Sequence, residues 1–255
     1  WFTFWWAFGI AAFMVINLVF YPTFRDQAAQ LNQALAHLPP AAKSLFAGSG
    51  TFSISTPEDF LSSRVFYLML PLLLTILSII IGSRLISKEE NSGTLELLLS
   101  RPISRGRLLT AKAAAGTLIL AVVSVAALMS GLIIGQLVEI NVSVLNIEIA
   151  TLAAAALSLL FGAISFTITA LGRSARAAAA GAAAFTAITS YLIVSLSSVV
   201  EWLKWPSAVL PHQYYRPSEI LYGNYEWRNV LGLFAFSLIL GIVAWWFFRQ
   251  RDIGV

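Results

Sequence analysis

The chain has 255 residues, 58% of them hydrophobic and only 11% charged, with a net charge of +4 and a mean hydropathy of +0.81. A soluble domain carries about a quarter charged residues, which excludes a water-soluble fold, and a chain without cysteine can form neither disulfides nor thiolate metal sites. The basic balance could suit nucleic acid, but the Lys and Arg residues fall in short connections between apolar blocks. Membrane topology accounts for them there, and no nucleic-acid partner is expected.

Six apolar blocks, 1–21, 65–86, 113–135, 149–171, 177–200 and 230–248, are each long enough to cross about 30 Å of hydrocarbon. They predict an all-α polytopic membrane protein whose residues 1–255 form a single transmembrane domain. The first block starts at Trp1 with no Met, no basic n-region and no small-residue cleavage site. It therefore reads as a true span, not a signal peptide, and a segment before Trp1 is expected.

After it, Leu31, Leu35, Leu38, Ala42, Leu45 and Phe46 recur at mostly three- and four-residue intervals, broken by Pro39 and Pro40. This spacing suggests two short amphipathic helices on the outer surface of the membrane, with a plain linker as the alternative. Thr56 then stands before Pro57, Glu58 and Asp59, a helix start in which Thr56 caps, Pro57 fits the first turn and the acids suit the positive helix end. That helix is expected to continue through Phe60 and Leu61 into the second span.

The fourth and fifth spans are dense in small residues, Ala153 to Ala156 and Ala175 to Ala184 with Gly181, which lets helices approach closely in lipid. The connection from Glu201 to Arg228 carries Trp202, Trp205, Tyr214, Tyr215, Tyr222, Tyr225 and Trp227. Such aromatics prefer the membrane interface. They form either an anchoring belt or a partly re-entrant outer gate broken by Pro206, Pro211 and Pro217.

Counting Lys and Arg in alternate connections orients the chain. One side holds ten (Arg84, Lys88, Arg101, Arg105, Arg107, Lys112, Arg173, Arg176, Arg249 and Arg251) against four acids; the other holds six against eight. The first side is read as cytoplasmic in the cell membrane, and an even number of spans puts both termini there.

The stretch 87–112, SKEENSGTLELLLSRPISRGRLLTAK, lies on that side. Ser92 or Asn91 can cap a short helix beginning near Gly93, on which Leu95, Leu98 and Leu99 make one apolar stripe and Thr94, Glu96 and Leu97 lie elsewhere. Pro102 stops it, and Ser104 can cap the lead into the third span. Arg101, Arg105 and Arg107 rim the result. Such a helix either lies on anionic lipid headgroups or docks its leucines in a groove on a soluble partner.

The run KEENSGTLELLLSRPISRGRLLTAK resembles the loop between the second and third spans of ABC-2 type transport permeases. Glu89 and Glu90 match that family's acidic pair, Gly93, Thr94, Leu95 and Glu96 its GTLE element, and Pro102 to Arg105 its PISR element. The run from Phe248 to Asp252 resembles the family's cytoplasmic ending. The elbow helix with which such permeases begin is not seen ahead of the first span.

The resemblance implies that Glu89, Glu90, Gly93, Thr94, Leu95, Glu96, Leu98, Leu99, Arg101, Pro102, Ser104 and Arg105 form a coupling helix and its flanks. It implies as partners a separate ABC ATPase in two copies, which holds ATP and Mg, and a second permease copy, self-pairing being the default. It also implies export. The chain itself has no G-x-x-x-x-G-K-[ST] loop, no cofactor is expected on it, and it is read as a transport subunit and not an enzyme.

The competing class is an ion- or proton-coupled carrier, or a channel. Such proteins normally bury ionisable residues in their spans, whereas the middle of every span here has only Asn17, Ser and Thr as polar groups. That pattern favours a lipophilic or amphipathic cargo. His37 and His212 lie outside the spans with no metal-ligand spacing, so no metal site is expected and both read as surface residues.

Overall fold

The computed structural model describes residues 1–48, 53–91 and 104–250, with the side chains of 87–91 and 173–176 left aside. Among the described residues every regular element is helical. Six long helices dominate: α1 (Phe2–Val19), α2 (Met69–Asn91), α3 (Arg105–Leu137), α4 (Val144–Leu171), α5 (Arg173–Leu196) and α6 (Trp227–Gln250). All six are long and apolar enough to cross a membrane.

Two helices run well past their apolar blocks, for local reasons. α3 starts at Arg105 because the Ser104 hydroxyl accepts from the Arg107 amide at 3.3 Å, a side-chain N-cap. Its 33 residues reach about 50 Å, so the first two turns, through Lys112, extend beyond the hydrocarbon. α2 stays helical to Asn91, and the candidate cap Ser92 with the short helix expected after it lies outside the described residues.

Ahead of α2, the Thr56 hydroxyl accepts from the Asp59 amide at 3.1 Å and starts the helix Pro57–Leu61. This runs through a π-helical turn, Ser62–Phe66, toward α2. The two surface helices are Ala28–Ala36 and Pro40–Ala47, split at the proline pair as expected. Their leucines Leu31, Leu35 and Leu45 are half-buried, while Leu38 and Phe46 are exposed.

The bundle is organised around α4, which packs on α2, α3, α5 and α6, while α1 leans mainly on α3. Side-chain size explains this. Ala150, Ala153, Ala154 and Ala156 of α4 are buried, and at Gly162 the backbone comes so close to α2 that an added Cβ would lie 2.9 Å from the Ser78 carbonyl oxygen. In lipid, helix contacts rest on such close packing and on interhelical hydrogen bonds.

The bonds are present along the same seam. Ser158 donates to the Pro71 carbonyl at 3.3 Å, Thr75 to the Ser158 hydroxyl at 3.2 Å, and Ser165 to the Ile79 carbonyl at 3.2 Å. The small residues of the fifth block behave differently: Ala179, Ala183 and Ala187 are buried, but Ala177, Ala178 and Gly181 are exposed. Close packing thus holds for most of α4, Leu145 and Leu152 staying exposed, and for one face of α5.

Candidate functional site

The end of the bundle that carries the connection from α2 to α3 is closed by its own small apolar core. Ile86, Leu109, Phe166, Ala170, Ala244 and Phe248 come from α2, α3, α4 and α6, apart from the main core. Gly106 at the start of α3 is pressed against the Trp245 indole, where an added Cβ would lie 2.6 Å from Nε1. The Arg249 guanidinium sits 4.5 Å from the centre of the same Trp245 ring, a cation–π contact. Lys112 reaches back across the helix pair and donates from Nζ to the Leu85 carbonyl at 2.6 Å.

Both roots of the 92–103 connection are therefore embedded in one plug. The end of α2 enters it through Ile86 and the start of α3 through Leu109, and the plug also holds α4 and α6. Displacement at either root must move the other three helices, because a packed core does not deform continuously.

Of the residues assigned to coupling, Ser104 and Arg105 open α3, and Glu89 and Glu90 stand on the last turns of α2, their side chains outside the description. Gly93, Thr94, Leu95, Glu96, Leu98, Leu99, Arg101 and Pro102 lie outside the described residues. Sequence reasoning missed the roles of Lys112 and Gly106 and the meeting of Phe166 and Phe248 in one core. The WWFF run before Arg249 was the available signal, since two consecutive aromatic pairs at a span end exceed what an interface belt needs.

The opposite end is covered by the connection 201–226, folded as four short helical turns, Glu201–Leu203, Lys204–Ser207, Pro211–Tyr214 and Pro217–Leu221. Its aromatics divide by type. Trp202 and Trp205 are exposed at 73% and 85%, as a rim at the interface would be. Three tyrosines instead make cross-bundle hydrogen bonds.

Tyr215, buried, donates to the Phe66 carbonyl at 2.5 Å, in the irregular stretch before α2. Tyr222 donates to Asp59 Oδ1 at 2.8 Å and shares a hydrogen bond with the Thr56 hydroxyl at 2.8 Å. Tyr225 donates to Asn146 Oδ1, while Asn146 Nδ2 donates to the Leu221 carbonyl at 2.7 Å. Below this layer the Tyr67 and Ser195 hydroxyls share a hydrogen bond at 2.7 Å, and Tyr191 donates to the Leu45 carbonyl.

His212 is not the surface residue expected from sequence, whereas His37 is exposed. The turn Pro211–Tyr214 dips between α4 and α5, so the imidazole lies against Phe161 (5.4 Å between ring centres) and Tyr191 (5.9 Å). Its Nδ1 hydrogen-bonds the Ser190 hydroxyl at 2.9 Å, and its backbone amide donates to the same oxygen at 3.2 Å. The imidazole is half-buried among these rings, and the loss of hydration favours its neutral form, pulling its pKa down to about 3. The same burial pushes the Tyr215 phenol well above its usual value. Among the described residues no three His, Asp or Glu side chains gather as a metal site requires.

Six helices able to span a membrane, a hydrogen-bonded cap at one end and an apolar plug at the other that holds the helices flanking the 92–103 connection define a multi-pass membrane protein. The chain belongs to the ABC-2 family transporter proteins, whose family model matches residues 2–253. No curated protein and no solved structure matches it.

Proposed function

We propose that this chain is the membrane-spanning subunit of an ATP-binding-cassette exporter, built as one transmembrane domain over 1–255. It moves a lipophilic or amphipathic cargo out of the cytoplasm with ATP hydrolysed on a separate subunit. It lies in the cell membrane with both termini cytoplasmic and is paired with a second copy of itself. Two ATPase subunits, holding ATP and Mg, dock on the α2–α3 connection. Family membership supports the transport role, and the charge asymmetry supports the orientation.

The observation that carries the coupling role is that both roots of the connection share one plug with α4 and α6. Leu95, Leu98 and Leu99 supply the apolar contact to the ATPase. Glu89, Glu90, Glu96, Arg101 and Arg105 set its register, since rim charges govern specificity more than affinity. Gly93, Thr94 and Pro102 belong to the same docking segment, and Ser104 starts α3, so a push on that segment reaches the plug through Leu109 within two turns.

The test is co-expression with the ATPase encoded beside the gene, purification in mild detergent, and measurement of co-elution and ATP hydrolysis for wild type and Leu98→Glu. Co-elution that the introduced charge abolishes is the expected result. Wild type and variant both eluting alone and folded would place the connection on lipid headgroups and return the carrier or channel reading.

A further inference from the structure

In the half of the membrane nearest the 92–103 connection, a cleft of about 340 Å³ lies between α2, α3, α4 and α6. That volume is within the range of small-molecule sites. Three glycines, Gly82, Gly116 and Gly162, are buried in its wall. On one side its lips, Thr117 of α3 and Leu238 of α6, are exposed, so it opens sideways to lipid. Toward the 92–103 connection it is closed by the plug, with which it shares Leu85, Ala113 and Phe166.

A lipid-filled crevice between helices would be apolar throughout, and this one is not. Ser78 lines it and is 6% exposed, yet its hydroxyl has no hydrogen-bond partner among the described residues. Neighbouring hydroxyls follow the usual helical solution of bonding back to a carbonyl in the preceding turn: Thr117 to Ala113, Ser237 to Leu233, and Thr167 to Ala163. Ser78 departs from it, and its oxygen lies over Gly162, where a Cβ would be only 2.0 Å away. An unmade hydrogen bond is costly in hydrocarbon, where no water can replace the partner. The hydroxyl lies eight residues, about 12 Å, from Ile86, too deep for a phospholipid headgroup to reach.

We propose that the cleft is a lateral binding site for a lipophilic molecule bearing one hydrogen-bond acceptor, an aryl ketone or amide, taken from the leaflet beside the 92–103 connection. Ser78 donates to that acceptor, Gly241, where an added Cβ meets nothing within 4 Å, leaves room for a flat apolar body, and Thr117 and Leu238 flank the entry. That the occupant is the transported cargo rests on the exporter reading. Its binding does not, and is measured without the ATPase.

Benzophenone serves as the probe, because its ketone is both the acceptor and the photoreactive group. The full chain in phosphatidylcholine nanodiscs is irradiated with it and the adducts are mapped by peptide mass spectrometry. Competition is measured with benzanilide, which carries an amide, and with bibenzyl, of similar shape but without polar atoms. Saturable labelling at the cleft is expected, with benzanilide competing better than bibenzyl.

Two variants sharpen the result. Ser78→Ala removes the donor, so benzanilide should lose its advantage over bibenzyl by about five- to tenfold, the worth of one hydrogen bond. Taking the ratio of competitors within each variant cancels their different partitioning into lipid. Gly241→Phe fills the cleft at a position where an added Cβ meets nothing within 4 Å, and should cut cleft labelling at least about fivefold. Gly9→Phe, equally unobstructed but on α1, should leave it unchanged. Unsaturable labelling that is equal in wild type, Ser78→Ala and Gly241→Phe would reduce the cleft to a crevice for bulk lipid and overturn the proposal, leaving the ATPase-coupling reading untouched.

Discussion

Replacing Gly82 with alanine puts a methyl group 2.3 Å from the Gly162 carbonyl oxygen and 3.1 Å from the Phe166 nitrogen, both backbone atoms of α4. Neither can rotate away, so α2 must retreat by about 1 Å to restore ordinary contact. The Ser165 bond to the Ile79 carbonyl, already 3.2 Å, then passes out of range. Overpacking costs about 1–3 kcal/mol and the lost bond about 1 kcal/mol. Alanine's better helix propensity returns up to about 1 kcal/mol, for a net loss of roughly 1–4 kcal/mol.

Gly181→Ala is the comparator, because a Cβ there meets nothing within 4 Å and only the propensity gain remains. Heating in detergent is irreversible, so midpoints of thermal loss of the monodisperse size-exclusion peak are compared at one scan rate. Gly82→Ala should fall several degrees below wild type and Gly181→Ala should match or exceed it. A Gly82→Ala midpoint equal to wild type would refute the close α2–α4 seam and, with it, transmission from the α2 root into α4.

Lys112→Met keeps the side-chain stem but removes the donor to the Leu85 carbonyl. It should cost about 1–2 kcal/mol and, in the co-purified complex, lower ATPase stimulation while co-elution persists. Tyr215→Phe leaves the Phe66 carbonyl without that partner and should cost about 1–3 kcal/mol, read from the same thermal assay. The His212 pKa is near 3 folded against about 6.5 unfolded, so the unfolded chain takes up the proton first as pH falls. The stability it contributes is complete above about pH 6.5 and declines by up to about 1.4 kcal/mol per pH unit on the way down to 3. His212→Asn, which cannot titrate, should flatten the thermal midpoint between pH 6.5 and 4.5 relative to wild type.

Features whose cause lies within a few residues are legible in the sequence. Thr56 and Ser104 cap their helices as their neighbours suggest, and Pro39–Pro40 splits the surface helices. The seven aromatics of 201–228 are legible as a set but not individually. Trp202 and Trp205 stay on the rim while Tyr215, Tyr222 and Tyr225 reach Phe66, Asp59 and Asn146, far away in sequence. His212 reads as a surface residue but is half-buried, because its partial burial depends on Ser190, Phe161 and Tyr191, which no local pattern links to it. At the end that carries the 92–103 connection the motif is visible as residues, but the plug is not: Leu109, Phe166 and Phe248 belong to three different spans.

The number and kind of spanning helices followed from sequence alone, because every backbone polar group in hydrocarbon must be satisfied within its own segment and about twenty apolar residues are needed to cross. Which helix stands at the centre was decided only in three dimensions. Lipid tails are as apolar as leucine, so hydropathy cannot rank one span above another as a neighbour. The choice of α4 rests on Gly162 fitting against Gly82 and on serines reaching the Pro71 and Ile79 carbonyls, matches of shape and hydrogen bonding between residues some eighty positions apart.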